Sequence, residues 1–143
     1  MNANYVTKNL MVGSAPNKED LDFVGNVADV LVLCAKQNQL PGCQKEGLEI
    51  LRVPLTDDVL THSELVRALA AGDKVAARLK EGKRVMSTCM AGINRSALIA
   101  GLAMRKRGSS YKTTLETIRD ARGPEALFND YFRKVLRNVS SKA

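Results

Sequence analysis

The chain has 143 residues, with 22 Lys and Arg against 15 Asp and Glu, one His, no Trp and a formal charge of +7. That length suits one domain with a substantial core, and 45% hydrophobic with 26% charged residues is the make-up of an ordinary globular chain, not a disordered or collagen-like one. No apolar run approaches the roughly 20 residues of a membrane span, and the three cysteines show neither a Cys-x-x-Cys nor a zinc-ligand spacing.

Tyr5-Val6 and Leu10-Met11-Val12 predict two short strands with a turn at Lys8-Asn9. Pro16-Asn17 leads into a short helix over 18–24. Asp29–Leu33 reads as a buried strand and 37–47 as a loop, marked by Pro41-Gly42 and Gly47. Leu48–Val53 is the next strand, with Pro54 as its expected end. A long helix starts near Thr61 to Ser63, and either Thr61 or Ser63 can cap it. Leu65, Val66, Leu69, Ala76 and Leu79 form its expected apolar face, and Gly82 its stop.

A short strand follows around Lys83–Ser87, then an almost wholly apolar helix over 97–104. Ser110 caps a helix over 111–121, Gly123-Pro124 breaks the chain, and Phe128, Phe132, Val135, Leu136 and Val139 mark a last amphipathic helix. Strands alternating with helices predict an α/β domain over 1–143, with a central, largely parallel sheet flanked by helices. Ligands of such sheets sit at the carboxyl ends of the strands.

Cys89 falls at that place. Residues 85–97 read Val-Met-Ser-Thr-Cys-Met-Ala-Gly-Ile-Asn-Arg-Ser-Ala. A strand that turns into a helix N-terminus points backbone N–H groups at one spot, and the helix dipole favours negative charge there. Such a cradle favours the anionic sulfur, the nucleophilic form of a cysteine. Arg95 brings a planar fork of donors suited to two phosphate oxygens. Met90, Ala91, Gly92, Ile93, Asn94 and Arg95 are therefore the candidate phosphate-binding residues, with Gly92 supplying a permissive backbone. No Gly-x4-Gly-Lys-Ser/Thr and no Gly-x-Gly-x-x-Gly after a strand supports a nucleotide site instead.

This Cys-x5-Arg loop resembles that of the cysteine-dependent phosphatases. Other segments resemble their dual-specificity family: Asn9-Leu10-Met11-Val12-Gly13-Ser14, Asp29-Val30-Leu31-Val32-Leu33, Ala91-Gly92 with Arg95-Ser96, and Arg122 followed by Asn129-x-x-Phe132. The segment Leu51-Arg52-Val53-Pro54-Leu55-Thr56-Asp57-Asp58 resembles the family's acid loop. The resemblance implies metal-independent phosphomonoester hydrolysis without a cofactor. Cys89 is then nucleophile, Asp57 general acid and later base, and Ser96 the hydroxyl that helps the thiolate leave. Asp58 is the competing acid, and a hydroxyl at position 96 also serves merely to hold the loop. Two residues depart from the family: Thr88 stands where a His usually precedes the cysteine, and Asn94 where Ser is commoner.

The expected substrate is a phosphorylated protein, at phosphotyrosine and phosphoserine or phosphothreonine. An RNA 5′-phosphatase is the alternative, because a Gly-x-Asn-Arg-Ser pattern also occurs in relatives acting on RNA 5′ ends and the charge is +7. A non-catalytic phosphate-binding module and a sulfurtransferase are rivals that need no Asp57. Arg105, Lys106, Arg107, Lys112, Arg119, Arg122, Arg133, Lys134 and Arg137 crowd the last third and read as solvated helix faces. An odd cysteine count without a signal-peptide pattern favours a reducing, cytoplasmic setting with no membrane partner. Cys34 and Cys43 read as inert thiols, with a reversible disulfide to Cys89 as the alternative that the resemblance raises. His62 reads as a surface residue at a helix start, and Met86, Met90 and Met104 as core and loop filler.

Overall fold

A computed structural model describes residues 1–139. A hairpin opens the chain: β1 (Ala3–Thr7) and β2 (Leu10–Gly13) pair antiparallel, and Asn9 takes the tight turn with φ of 67°. A 3-10 turn (Lys18–Asp20), capped by Asn17, leads into α1 (Leu21–Val27). Then come β3 (Val30–Ala35), β4 (Glu49–Leu55), α2 (His62–Lys80), β5 (Val85–Thr88), α3 (Arg95–Lys106), α4 (Tyr111–Arg122) and α5 (Asp130–Asn138). The sheet order is β1-β2-β5-β3-β4, and every pair but the first hairpin is parallel.

The period of two in a strand divides the core. Leu10, Val12, Val30, Val32, Cys34 and Val85 face one side and pack on the helices α2 to α5. Met11, Leu31, Leu33 and Met86 face the other, under Leu21, Val24 and Ala28 of α1 and its flanks. With both faces covered, β3 is buried along its whole length, which explains its unbroken apolar sequence. α3 lies in the centre: every residue from Arg95 to Arg105 is buried.

Several expectations change. Pro54 does not end its strand but lies inside β4, which runs to Leu55. β4 is the sheet edge, so a missing N–H on its open side costs no ladder bond. The buried face of α2 is Ala68, Ala71, Gly72, Val75 and Ala76, while Val66 is 52% and Leu69 37% exposed. Small residues win there because α2 runs tight against α3: a Cβ on Gly72 would lie 2.6 Å from the Leu102 Cβ. Met90 and Phe128 are exposed, and Phe128 precedes α5 instead of belonging to it.

The basic last third is not simply a set of solvated faces. Arg105 is buried and donates to the carbonyls of Leu136, Ser109 and Val139. Arg119 donates to the Ala126 carbonyl, and Arg133 to that of Leu127. Arg137 stacks over the Tyr111 ring at 5.5 Å. Arg105, Arg119 and Arg133 thus satisfy helix-end and loop carbonyls that would otherwise be orphaned. Among the described residues, no helix is long and apolar enough to cross a membrane.

Candidate active site

Gly13 of β2, Ala35 of β3, Leu55 of β4 and Thr88 of β5 end at one edge of the sheet, and the segment from Cys89 to Arg95 leaves from its middle. Four consecutive carbonyls of that segment are taken up from outside. Met90 O accepts from Ala15 N at 3.0 Å and Ile93 O from Leu127 N at 2.7 Å. Ala91 O and Gly92 O accept from the guanidinium of Arg122 at 3.1 and 2.9 Å. The C=O and N–H of one planar trans peptide point in opposite directions. Outward carbonyls therefore turn the amides of Ala91 to Asn94 toward the loop centre, a concavity suited to an anion.

Gly92 is required at the crowded wall of this loop. Its φ is 75°, and a Cβ there would lie 2.5 Å from Arg122 Nη2 and 2.6 Å from the Gly13 carbonyl carbon. Arg122 also donates to Asn4 Oδ1, and burial lowers the pKa of its guanidinium from the ordinary value.

Cys89 is 3% exposed, and its Sγ lies 3.1 Å from the Ser96 hydroxyl. Arg95 Nη1 donates to Gln37 Oε1 at 2.8 Å and to Leu55 O at 3.0 Å, while its Nε is buried without a partner. A buried donor left unpaired costs about 1–3 kcal/mol, and an oxyanion oxygen in the loop is the chemistry that would satisfy it. Gln37 was not legible as a site residue: it lay in a loop with no motif of its own.

Asp57 sits on the loop after β4. Asn94 Nδ2 donates to its Oδ2 and Asn129 Nδ2 to its Oδ1, each at 3.2 Å. Asp58 turns away, its Oδ1 accepting from Val59 N. Thus Cys89, Arg95, Ser96 and Asp57 converge on one loop, and Asp58 does not join them. Thr88 is buried in the sheet and donates to Val32 O at 2.8 Å. His62 is exposed at the first turn of α2.

Cys34 and Cys43 are unpaired thiols, as is Cys89. Burial in β3 pushes the Cys34 thiol well above its ordinary range, with the neighbouring Cys89 adding to the shift, and its Sγ touches the Ser87 hydroxyl at 3.6 Å. That keeps Cys34 in the unreactive thiol form.

No profile of a known protein family matches the chain. Solved structures do. The fold superimposes on a mutant form of the phosphatase Tk-PTP with a TM-score of 0.78 and 26% identity, over 95% of this chain and 92% of that one. Human DUSP28 gives a TM-score of 0.78 and 26% identity, over 94% of this chain and 90% of that one. DUSP15, at 23% identity and a TM-score of 0.75 over 94% of this chain and 85% of that one, shares the fold. A largely parallel sheet that delivers a Cys-x5-Arg loop onto a buried helix defines a cysteine-based phosphatase, a hydrolase. Within that class, its structural likeness runs to dual-specificity and tyrosine phosphatases.

Proposed function

We propose that the chain hydrolyses phosphomonoesters of proteins, at phosphotyrosine and phosphoserine or phosphothreonine, through a cysteinyl-phosphate. The amides of Met90 to Arg95 and the free edge of Arg95 hold the phosphoryl oxygens and the charge that spreads over them in the transition state. The Cys89 thiolate attacks phosphorus as the bond to the leaving oxygen breaks, and Asp57 gives that oxygen its proton. Asp57, now a carboxylate, takes a proton from water. The water oxygen bonds to phosphorus, and the P–S bond breaks to return the thiolate. Ser96, 3.1 Å from the sulfur, donates to that departing thiolate. No step uses a metal or cofactor.

The observation that carries this reading is the pair of hydrogen bonds that the side-chain amides of Asn94 and Asn129 donate to Asp57. They bring a carboxyl to the loop that holds the cysteine, which a phosphate-binding module or a sulfurtransferase does not need. A carboxyl acid also favours monoesters over an RNA 5′-triphosphate, whose departing phosphate is already a good leaving group. The arginines of the last third point the same way: Arg105, Arg119, Arg122 and Arg133 are engaged with main-chain carbonyls, so fewer guanidinium N–H donors are free to grip a polyanion. Val59 and Phe128, 65% and 60% exposed beside Asp57 and Asn129, offer apolar contact to the residues around a phosphorylated side chain. A reactive thiol of this kind fits the reducing cytoplasm.

The test is kcat/KM on phosphotyrosine and phosphothreonine peptides against RNA 5′-triphosphate, at matched salt because RNA binding is salt-dependent. Preference for the peptides supports the reading. Preference for RNA by more than about tenfold, on the order of 1.4 kcal/mol in transition-state terms, overturns it.

A further inference from the structure

Asn94 occupies the N-cap position of α3, where an asparagine side chain ordinarily turns back onto the first helical amides. It makes no such bond. Its Nδ2 instead donates to Asp57 Oδ2, and its Oδ1 accepts the main-chain N–H of Asn129 at 3.2 Å. Asn94 is 1% exposed, so neither bond is a surface accident. Asn129 divides its side chain in two. Its Oδ1 caps α5 by accepting from Phe132 N at 3.0 Å, and its Nδ2 donates to Asp57 Oδ1 at 3.2 Å, with the Asp58 carbonyl at 3.4 Å.

Each oxygen of the Asp57 carboxyl thus has its own amide donor. One belongs to the phosphate loop and the other to the start of α5, and the two asparagines bond to each other. The uncapped end of α3 keeps its amides for an anion.

We propose that Asn94 and Asn129 are positioning residues that set the direction of the Asp57 carboxyl toward the leaving oxygen, and that through Asn94 the acid is registered on the phosphate loop itself. This inference rests on the reading of Asp57 as general acid. Neither asparagine gains or loses a proton in the reaction. Misplacing a reacting group by about 1 Å can cost ~10²-fold in rate, whereas losing the acid altogether costs ~10²–10⁴-fold. Displacing it should lie at the lower end.

The experiment compares steady-state kinetics on phenyl phosphate, whose leaving oxygen needs a proton, with 2,4-dinitrophenyl phosphate, whose leaving oxygen does not. The variants are Asn129→Ser, Asn94→Ser, Asp57→Asn and the double Asp57→Asn/Asn129→Ser. Serine at 129 keeps an N-cap oxygen for α5 but is too short to reach Asp57. Asn129→Ser and Asn94→Ser should each lower kcat on phenyl phosphate about 10- to 100-fold. For Asn129→Ser, KM, the inhibition constant of vanadate and turnover of the dinitrophenyl ester should all stay near normal. In the double variant the serine should add nothing. Equal losses on both esters, or an additive loss in the double variant, would show a merely structural role and overturn the inference while leaving Asp57 in place. If Asp57→Asn itself fails to discriminate between the esters, the assignment of the acid falls, and the inference with it. Should Asn94→Ser prove unfolded, Asn129→Ser alone decides the matter.

Discussion

The Glu64 carboxylate accepts the main-chain N–H of Thr56 at 2.8 Å, eight residues back and immediately before Asp57. Its other oxygen accepts the N–H of Thr61 at 3.0 Å, completing a capping box at the start of α2. One carboxylate therefore closes both ends of the loop that carries the acid. The bond from Thr61 N–H, with that of Thr56 behind it, lowers the Glu64 pKa below its ordinary value against the opposing effect of burial. Glu64→Gln should cost about 1 kcal/mol, the usual scale for losing a cap.

The sign follows from the lowered folded value. The stabilisation is complete above the unfolded value of about 4.3 and fades as pH falls through the folded one. The gap in denaturation midpoint between Glu64→Gln and the parent should therefore hold steady from about pH 7 to 5 and narrow below 4. A gap that is unchanged at about pH 3 would contradict the charged-cap account.

Cys89→Ser should keep anion binding and lose turnover, since a serine hydroxyl lacks thiolate nucleophilicity. Vanadate binding and aryl phosphate hydrolysis measured on the same preparation check it, and substantial residual turnover would sink the covalent mechanism. Arg95→Lys should fail badly too, because a point charge cannot replace a fork that Gln37 and Leu55 already hold in one plane. Near-normal kcat/KM in that variant would refute the clamp.

Asp57→Asn should lower kcat ~10²–10⁴-fold on esters with poor leaving groups. Asp58→Asn should be mild, because the Asp58 carboxylate is turned onto Val59 N and its part in the Asn129 contact is a main-chain carbonyl. Swapped phenotypes would move the acid by one residue.

Gly72→Ala tests the packing of α2 on α3. The new methyl would sit 2.6 Å from the Leu102 Cβ, with Leu102 5% exposed and held in the core. Overpacking of this kind costs ~1–3 kcal/mol even though alanine is the better helix former. A chemical denaturation curve checks it. Unchanged or higher stability would mean that the two helices part freely.

What the sequence made legible was whatever is local. The strands and helices follow runs a few residues long, and the phosphate loop lies within Cys89 to Ser96. Ser110 and Thr61 serve as caps where their positions suggest. Long-range relationships were harder to read. Gln37 reaches Arg95 across 58 residues, and Asn129 reaches Asp57 across 72, through contacts that only the closed sheet edge creates. The face of α2 misled for a different reason. Hydropathy weights Leu and Val over Ala and Gly, yet close helix approach selects the small side chains and leaves Val66 and Leu69 at the surface. Arginines in the last third suggested a charged exterior because charge alone does not say that a guanidinium will cap buried carbonyls.

Gln37 supplies the last test. It is the side-chain acceptor holding Arg95 Nη1, at 2.8 Å, and the Leu55 carbonyl is the other acceptor there. Removing it leaves the arginine charged but free to swing about the remaining bond. Part of the order needed to grip two phosphate oxygens must then be restored when the ligand binds. Gln37→Ala should weaken vanadate or phosphate inhibition about 3- to 10-fold, where tenfold is 1.4 kcal/mol. Its kcat should fall less, because Cys89, Ser96 and Asp57 are untouched. Gln37→Glu should weaken anion binding further, since a carboxylate in that place competes with the ligand for the same guanidinium. Competitive inhibition constants for the two variants, taken at fixed ionic strength, check the order. Tighter anion binding in Gln37→Glu than in Gln37→Ala would show that Gln37 merely lies beside Arg95 and does not aim it.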